Sequence, residues 1–353
     1  MTTPAGAFPL TMDDGSATQR LREVAGGAVV CTMPEPWALV EHQVPVPFHT
    51  VEAGSVELDH LAGSVRSVPD GGELVVGLGG GSALDTAKFV AEATGLPLIQ
   101  IPSIISVDAA FTVPYGYRDG SRVRYAGDVR PIEVIADPAL IRRAPPALNR
   151  AGVGDLLSCF TGLFDWRLAV DQGRGGVPWN DEAAAFGRAV IDGIESAAPE
   201  IRAVSDEGIR FLACTHRDVG AGCVTYGARF EEGSEHFLAY CFEWLTNEHR
   251  VHGELVSFCT LAMSSVQGND PERAARIVQR SGVDARPSHL GIDDRLFERM
   301  LLELPGYCAR EDLWPSVVET VSFTPELAGR VMAHVRMASG DDASTAADAR
   351  GSG

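Results

Sequence analysis

At 353 residues the chain is long enough for two domains of ordinary size, and its 45% apolar and 22% charged side chains are the balance of a globular protein. A formal net charge of −19 excludes the basic face that a nucleic-acid backbone or an anionic membrane surface rewards, so a phosphorylated ligand would need local positive charge against a repelling field. No stretch approaches the roughly 18 uninterrupted apolar residues of a spanning helix, and seven scattered cysteines without a CxxC pair read as reduced thiols, so a cytoplasmic protein is expected.

The first twenty residues carry acids and lack a basic flank before an apolar core, unlike a secretory signal. Runs rich in β-formers and bounded by Gly or Pro then recur at 27–33, 46–53, 73–81, 97–103 and 132–137. Between them, "SVELDHLAGSVRSV" and "SALDTAKFVAEATG" carry helical spacing. Strands alternating with helices predict βαβ units, hence an α/β domain with a parallel sheet over residues 1–140. From 141 to 338 the apolar residues recur at i, i+3 and i+4 over long spans with no alternating strand, which predicts an all-α domain. The small, polar tail 339–353 is expected to be disordered.

The stretch "ELVVGLGGGSALDTAKFVAEA" runs from a buried strand through glycines into a helix. Glycine permits a tight turn and lets a ligand approach the backbone. Ser82 is expected to open the helix, whose free N–H groups and dipole suit a pyrophosphate. The spacing is neither GxGxxG nor a P-loop. Lys88 stands one turn further on, and it is the only lysine among 29 basic residues, the rest being arginine. A compact ammonium there can reach back toward the turn.

The next loop, "IPSIISVDAAFTVP", gathers Ser103, Ser106 and Asp108 at the end of a strand, where doubly wound sheets bind ligands; Ser and Asp are equally ordinary turn formers. Further on, Asp155 in "AGVGDLL", His236 in "GSEHFLAY" and His252 in "VHGELV" offer one carboxylate and two imidazoles, donors that suit Zn²⁺, Fe²⁺ or Ni²⁺. By spacing alone, His249 and His252 are an equally available pair among the nine histidines.

The pattern GGGSxxDxAK after a strand resembles the superfamily of iron-containing alcohol dehydrogenases, glycerol dehydrogenases and dehydroquinate synthases. The segment "AGVGDLLSCFTGLFDWRLA", followed by Glu235–His236 and by an HGE beginning sixteen residues after His236, is similar to the glycerol-1-phosphate dehydrogenase branch; the likeness spans roughly residues 70 to 260. It implies an N-terminal dinucleotide-binding domain, a helical C-terminal domain and a divalent metal in the cleft between them. It selects Asp155, His236 and His252 as metal ligands, with zinc first and nickel or iron as alternatives. Gly79, Gly80, Gly81 and Lys88 then face the cofactor phosphates or the nicotinamide ribose. Ser103 and Ser106 contact nicotinamide, Asp108 holds a substrate hydroxyl or relays its proton, and Asp85 anchors helix and loop.

The resemblance further implies hydride transfer between NAD or NADP and a small polyol phosphate, and assembly as a homo-oligomer is expected. This sequence departs from the branch in three places. Tyr240 stands where a second histidine is usual and is a candidate substrate contact. "LVSFC" replaces the glycines that commonly follow the HGE, and the first strand ends without the Asp that would accept ribose hydroxyls. Two other readings stay open at this point. One is a redox-neutral cyclase of the dehydroquinate synthase type, against which the missing GGK loop speaks. The other is a relative that only binds its ligand.

Overall fold

The computed structural model describes residues 6–44, 48–120, 122–174 and 176–341. The expected strand's residues 46 and 47, and the expected disordered tail from residue 342 on, lie outside the described residues. The remainder of that tail begins inside a helix, which runs to Ser339.

Six strands form one sheet: β1 (Leu10–Thr11), β2 (Ala28–Thr32), β3 (His49–Glu52), β4 (Leu74–Gly79), β5 (Leu98–Pro102) and, two strands later, β8 (Glu133–Ile135). All pairings are parallel, in the order β1-β8-β5-β4-β2-β3. Strands β2 and β5 are buried along their whole length, which is why they read as largely apolar runs, interrupted only by Thr32 and Gln100, rather than alternations. Their side chains still point alternately to two faces. Val30, Val76, Leu78, Ile99 and Ile101 pack under α1 (Ser16–Val24) with Ala17 and Leu21. On the other face Val29, Cys31, Val75 and Leu98 pack against Val65 of α2 (Leu58–Arg66) and Ala87, Val90 and Ala91 of α3 (Gly81–Thr94).

Between β5 and β8 the chain makes an antiparallel hairpin of β6 (Tyr115–Asp119) and β7 (Arg122–Ala126), which is not among the strands expected from the sequence. Beyond β8 the described residues contain no strand. The main helices are α4 (Val153–Leu157), α5 (Cys159–Asp171), α6 (Asp181–Ala203), α7 (Asp206–Tyr226), α8 (Ser234–Thr246), α9 (His252–Gln267), α10 (Pro271–Ser281), α11 (Asp294–Arg310) and α12 (Pro325–Ser339). The fold class is therefore an N-terminal parallel α/β sheet domain followed by a helical C-terminal domain.

Two compact units divide the chain, one of Thr2–Gly152 with Ala203–Thr225, the other of Val153–Arg202 with Tyr226–Gly353. This grouping differs from a division at residue 140 chiefly in α7, which joins the sheet-bearing unit. The backbone explains the placement: a Cβ on Gly220 of α7 would collide with the Phe111 carbonyl, so the helix lies directly on the 103–114 loop. All seven cysteines are free thiols, five of them buried. Among the described residues no helix is long and apolar enough to cross a membrane.

Candidate active site

In the helical unit, three side chains from the first turns of three helices converge. Asp155 lies in α4, His236 is the third residue of α8, and His252 opens α9. One ligand atom from each lies within 4.8 Å of the others. His252 Nε2 is 3.4 Å from Asp155 Oδ1, and the two imidazole rings are 5.5 Å apart between centroids. Donors about 2.1 Å from one tetrahedral cation stand about 3.4 Å apart, so the His252–Asp155 pair already has that spacing and the widest pair would close by up to about 1.4 Å. One carboxylate oxygen and two imidazole nitrogens form a donor set that fits a divalent transition metal, and the residues present fit the metal the sequence implied. Asp155 and His236 are buried while His252 is half-buried, which leaves one side of the group open.

The close approach has a local cause. A Cβ on Gly154 would collide with the Gly253 carbonyl and lie 2.5 Å from the Gly253 Cα. Only a residue without a side chain lets the starts of α4 and α9 meet backbone to backbone, which brings Asp155 beside His252.

Charge around His236 is negative. Burial lowers its pKa, but the hydrogen bond and charge of Glu235, with Glu232 and Asp155, outweigh burial and push it up to about 10. The Glu235 carboxylate is fully buried and sits 2.9 Å from His236 Nδ1. Tyr240, one turn further along α8, has its ring 5.8 Å from that of His236, and its hydroxyl donates to Glu232 Oε1 at 3.0 Å. The tyrosine expected to contact substrate thus stands next to the candidate metal ligands.

Asp165, the acid of the Asp-Trp pair in α5, accepts hydrogen bonds from Ser234 N at 2.7 Å and from Val317 N at 2.8 Å. It ties down the start of α8, and burial pushes its pKa up to about 6. The sequence alone singles out neither Glu235 nor Glu232 for a role, although the acid-rich run "EEGSEH" was a visible sign of local negative charge.

In the sheet-bearing unit, the glycine turn leaves the carboxyl end of β4. Gly79 has a φ of +152°, and a Cβ there would lie 2.7 Å from that of Ala83. Gly80 caps α3 and Gly81 is its first residue, so Ser82 is the second residue of the helix rather than its opener. No side chain caps this N-terminus, and its N–H groups keep the polarity that suits an anion. The following loop runs alongside: Ser103 N donates to Gly79 O at 2.9 Å, Ile104 packs over Gly80, and Val107 over Gly81. Gly79, Gly80, Gly81 and Ser82 at the strand-to-helix turn therefore adjoin the loop that carries Ser103, Ser106 and Asp108, with Ser103 and Ser106 buried.

Lys88 is fully buried. Its Nζ donates to Thr112 Oγ1 at 2.9 Å and to Pro114 O at 2.7 Å, and lies 3.6 Å from Asp85 Oδ1. Burial lowers the Lys88 pKa, opposed by the charges of Asp85 and Asp108. Burial likewise pushes Asp85 up to about 6 against the pull of Lys88 and of a hydrogen bond from the Gly116 backbone. The lone lysine and Asp85 together pin the 112–116 segment to α3, so the ammonium's partners in the structure are groups of the chain itself. His216 of α7, which no motif announces, is buried beside Gly152, and burial pushes its pKa down to about 4.

Comparison with known proteins gives a consistent picture. A family model described as iron-containing alcohol dehydrogenase matches residues 38–145. The chain is 31% identical over 269 residues to a glycerol-1-phosphate dehydrogenase (NAD(P)+) of Hyperthermus butylicus, covering 75% of each chain. It is 28% identical over 291 residues to the enzyme of that name in Methanothermobacter thermautotrophicus, covering 80% of this chain and 82% of the relative. Among solved structures, a probable glycerol dehydrogenase from Sinorhizobium meliloti aligns with a TM-score of 0.73 at 21% identity, over 96% of this chain and 100% of that one. The glycerol dehydrogenase of Schizosaccharomyces pombe aligns at 0.72 and 20% identity, over 97% and 91%. At such identities these two structures speak for the fold.

Proposed function

Because the chain belongs to the superfamily of iron-containing alcohol dehydrogenases and is homologous to its glycerol-1-phosphate dehydrogenases, we propose that it is an NAD(P)-dependent oxidoreductase interconverting a glycerol-1-phosphate-like alcohol and its dihydroxyacetone-phosphate-like ketone. The observation that carries this reading is the convergence of Asp155, His236 and His252 at the starts of three helices. Those three would hold one divalent ion, zinc before nickel or iron. Such an ion supplies Lewis-acid polarisation of the reacting oxygen, and the nicotinamide supplies the hydride acceptor or donor.

The chain's own groups have the remaining tasks. The bare N–H groups at Gly81 and Ser82, reached past Gly79 and Gly80, bind the cofactor pyrophosphate. Ser103 and Ser106 orient the nicotinamide from the adjoining loop. Asp108 holds a substrate hydroxyl and exchanges its proton. Lys88 supports this surface by fixing Thr112 and Pro114, four and six residues beyond Asp108. Tyr240, braced by Glu232, lines the substrate side of the metal-ligating group. NAD and NADP both serve, since the end of β2 carries no Asp to select an unphosphorylated ribose.

The test is direct. Zinc-loaded protein should consume NADH or NADPH with dihydroxyacetone phosphate and yield a glycerol phosphate, and a chelator should abolish the reaction. Turnover of a phosphorylated sugar with no net change in nicotinamide would refute a dehydrogenase.

A further inference from the structure

We propose that Glu235 is the residue that makes His236 a competent metal ligand, by holding the proton on Nδ1 so that Nε2 faces the ion. The proposal rests on the metal reading of Asp155, His236 and His252.

Neighbouring residues on a helix point about 100° apart and do not ordinarily meet. Glu235 and His236 meet because both lie in the first turn of α8, where the glutamate side chain curls back over the helix start. Its Oε1 accepts from Gly233 N at 2.7 Å and sits 2.9 Å from His236 Nδ1. Its Oε2 accepts from Thr161 Oγ1 at 2.5 Å. The carboxylate is therefore gripped on both oxygens, in a position with no exposure to solvent. Asp165, holding Ser234 N, fixes the same turn from α5.

An ionised carboxylate can only accept hydrogen bonds. The imidazole nitrogen facing it must carry the proton, and in the neutral ring the other nitrogen then keeps its lone pair. Glu235 thus sets the tautomer, limits rotation of the ring, and adds negative charge that raises the basicity of the ligating nitrogen. With no exposure to solvent, Glu235 acts through His236 as a positioning residue.

Two measurements test the assignment. In Glu235→Gln the amide keeps the size and one acceptor but loses the charge. Zinc affinity, read by competition with a chromophoric chelator, should fall about 10–100-fold while the melting temperature shows the variant folded. A folded variant with wild-type affinity would overturn the proposal. The second measurement needs no variant: nitrogen-15 spectra of the zinc-loaded wild-type protein should show His236 bound through Nε2 and protonated on Nδ1. Coordination through Nδ1 overturns the role of Glu235 while leaving the metal reading intact. If His252→Ala binds zinc as tightly as wild type, the metal reading fails, and with it this inference.

Discussion

Replacing Lys88 with methionine tests what the only lysine of the chain is for. Methionine has nearly the same length, so the packing changes little, but the variant loses two hydrogen bonds, at 2.9 and 2.7 Å, and an ion pair at 3.6 Å. The ammonium is closed to solvent, with Lys88 at 0% exposure, while the Asp85 side chain keeps 18%. Removing one member of such a buried pair typically costs about 3–5 kcal/mol, because the other is left without compensation. Asp85 can limit the damage by taking up a proton or meeting water, so a loss of about 3 kcal/mol is expected, or roughly 4 °C in melting temperature for a chain of this length.

The pH dependence follows in sign. The folded pKa of Asp85 is raised from 3.8 to about 6, so the native state binds more protons than the unfolded one across that window and stability falls as pH rises through it. Without the lysine the folded pKa moves higher still, and the loss continues above pH 6. The variant should therefore be more strongly destabilised at pH 8 than at pH 5, and adding Asp85→Asn should restore much of the difference. Thermal melts at the two pH values, with nucleotide titration alongside, decide the matter. A variant that melts like wild type but no longer binds NAD(P)H would refute the loop-holding role and put the ammonium at the cofactor.

Other outcomes follow from the same geometry. His252→Ala should lose bound metal and at least about 100-fold in turnover, as expected for removing a metal ligand; unchanged metal content and rate would count against the site. Gly154→Ala places a methyl 2.5 Å from the Gly253 Cα, so it should destabilise the helical unit by about 3 kcal/mol and weaken metal binding, whereas wild-type zinc affinity would show that the close approach is dispensable. His216, held down from 6.5 to about 4, contributes stability that is present above pH 6.5 and is lost as pH falls toward 4, by about 3 kcal/mol. His216→Gln should flatten the urea-denaturation profile between pH 7 and pH 4.5, and an unaltered slope would exclude this histidine as the cause.

What the sequence discloses, and what it hides, follows from how far each feature depends on distant parts of the chain. Strands β2, β4 and β5 are legible because burial on both faces leaves largely apolar runs between glycines and prolines. The β6–β7 hairpin is not, because its strands are only partly buried and carry arginine and tyrosine where an apolar alternation would show. Its one local sign is Asp119–Gly120, with Gly120 at a φ of +60°. Strand β1 has two residues and no pattern to read.

At the site the division is sharper. Lys88 is conspicuous by its uniqueness, yet its partners Thr112 and Pro114 lie more than twenty residues away, and only the folded loop reveals them. The three candidate metal ligands are picked out by resemblance, since by spacing alone His249 is as good a partner for His252. Glu235 is adjacent to His236 in the chain, but its role comes from a side chain turned back on the helix start, which sequence does not encode in any local pattern. The least conspicuous participant is Gly154. It carries no donor and no charge, but by letting two helix starts touch it sets the separation between Asp155 and His252, so a residue without chemistry determines whether the chemistry beside it can occur.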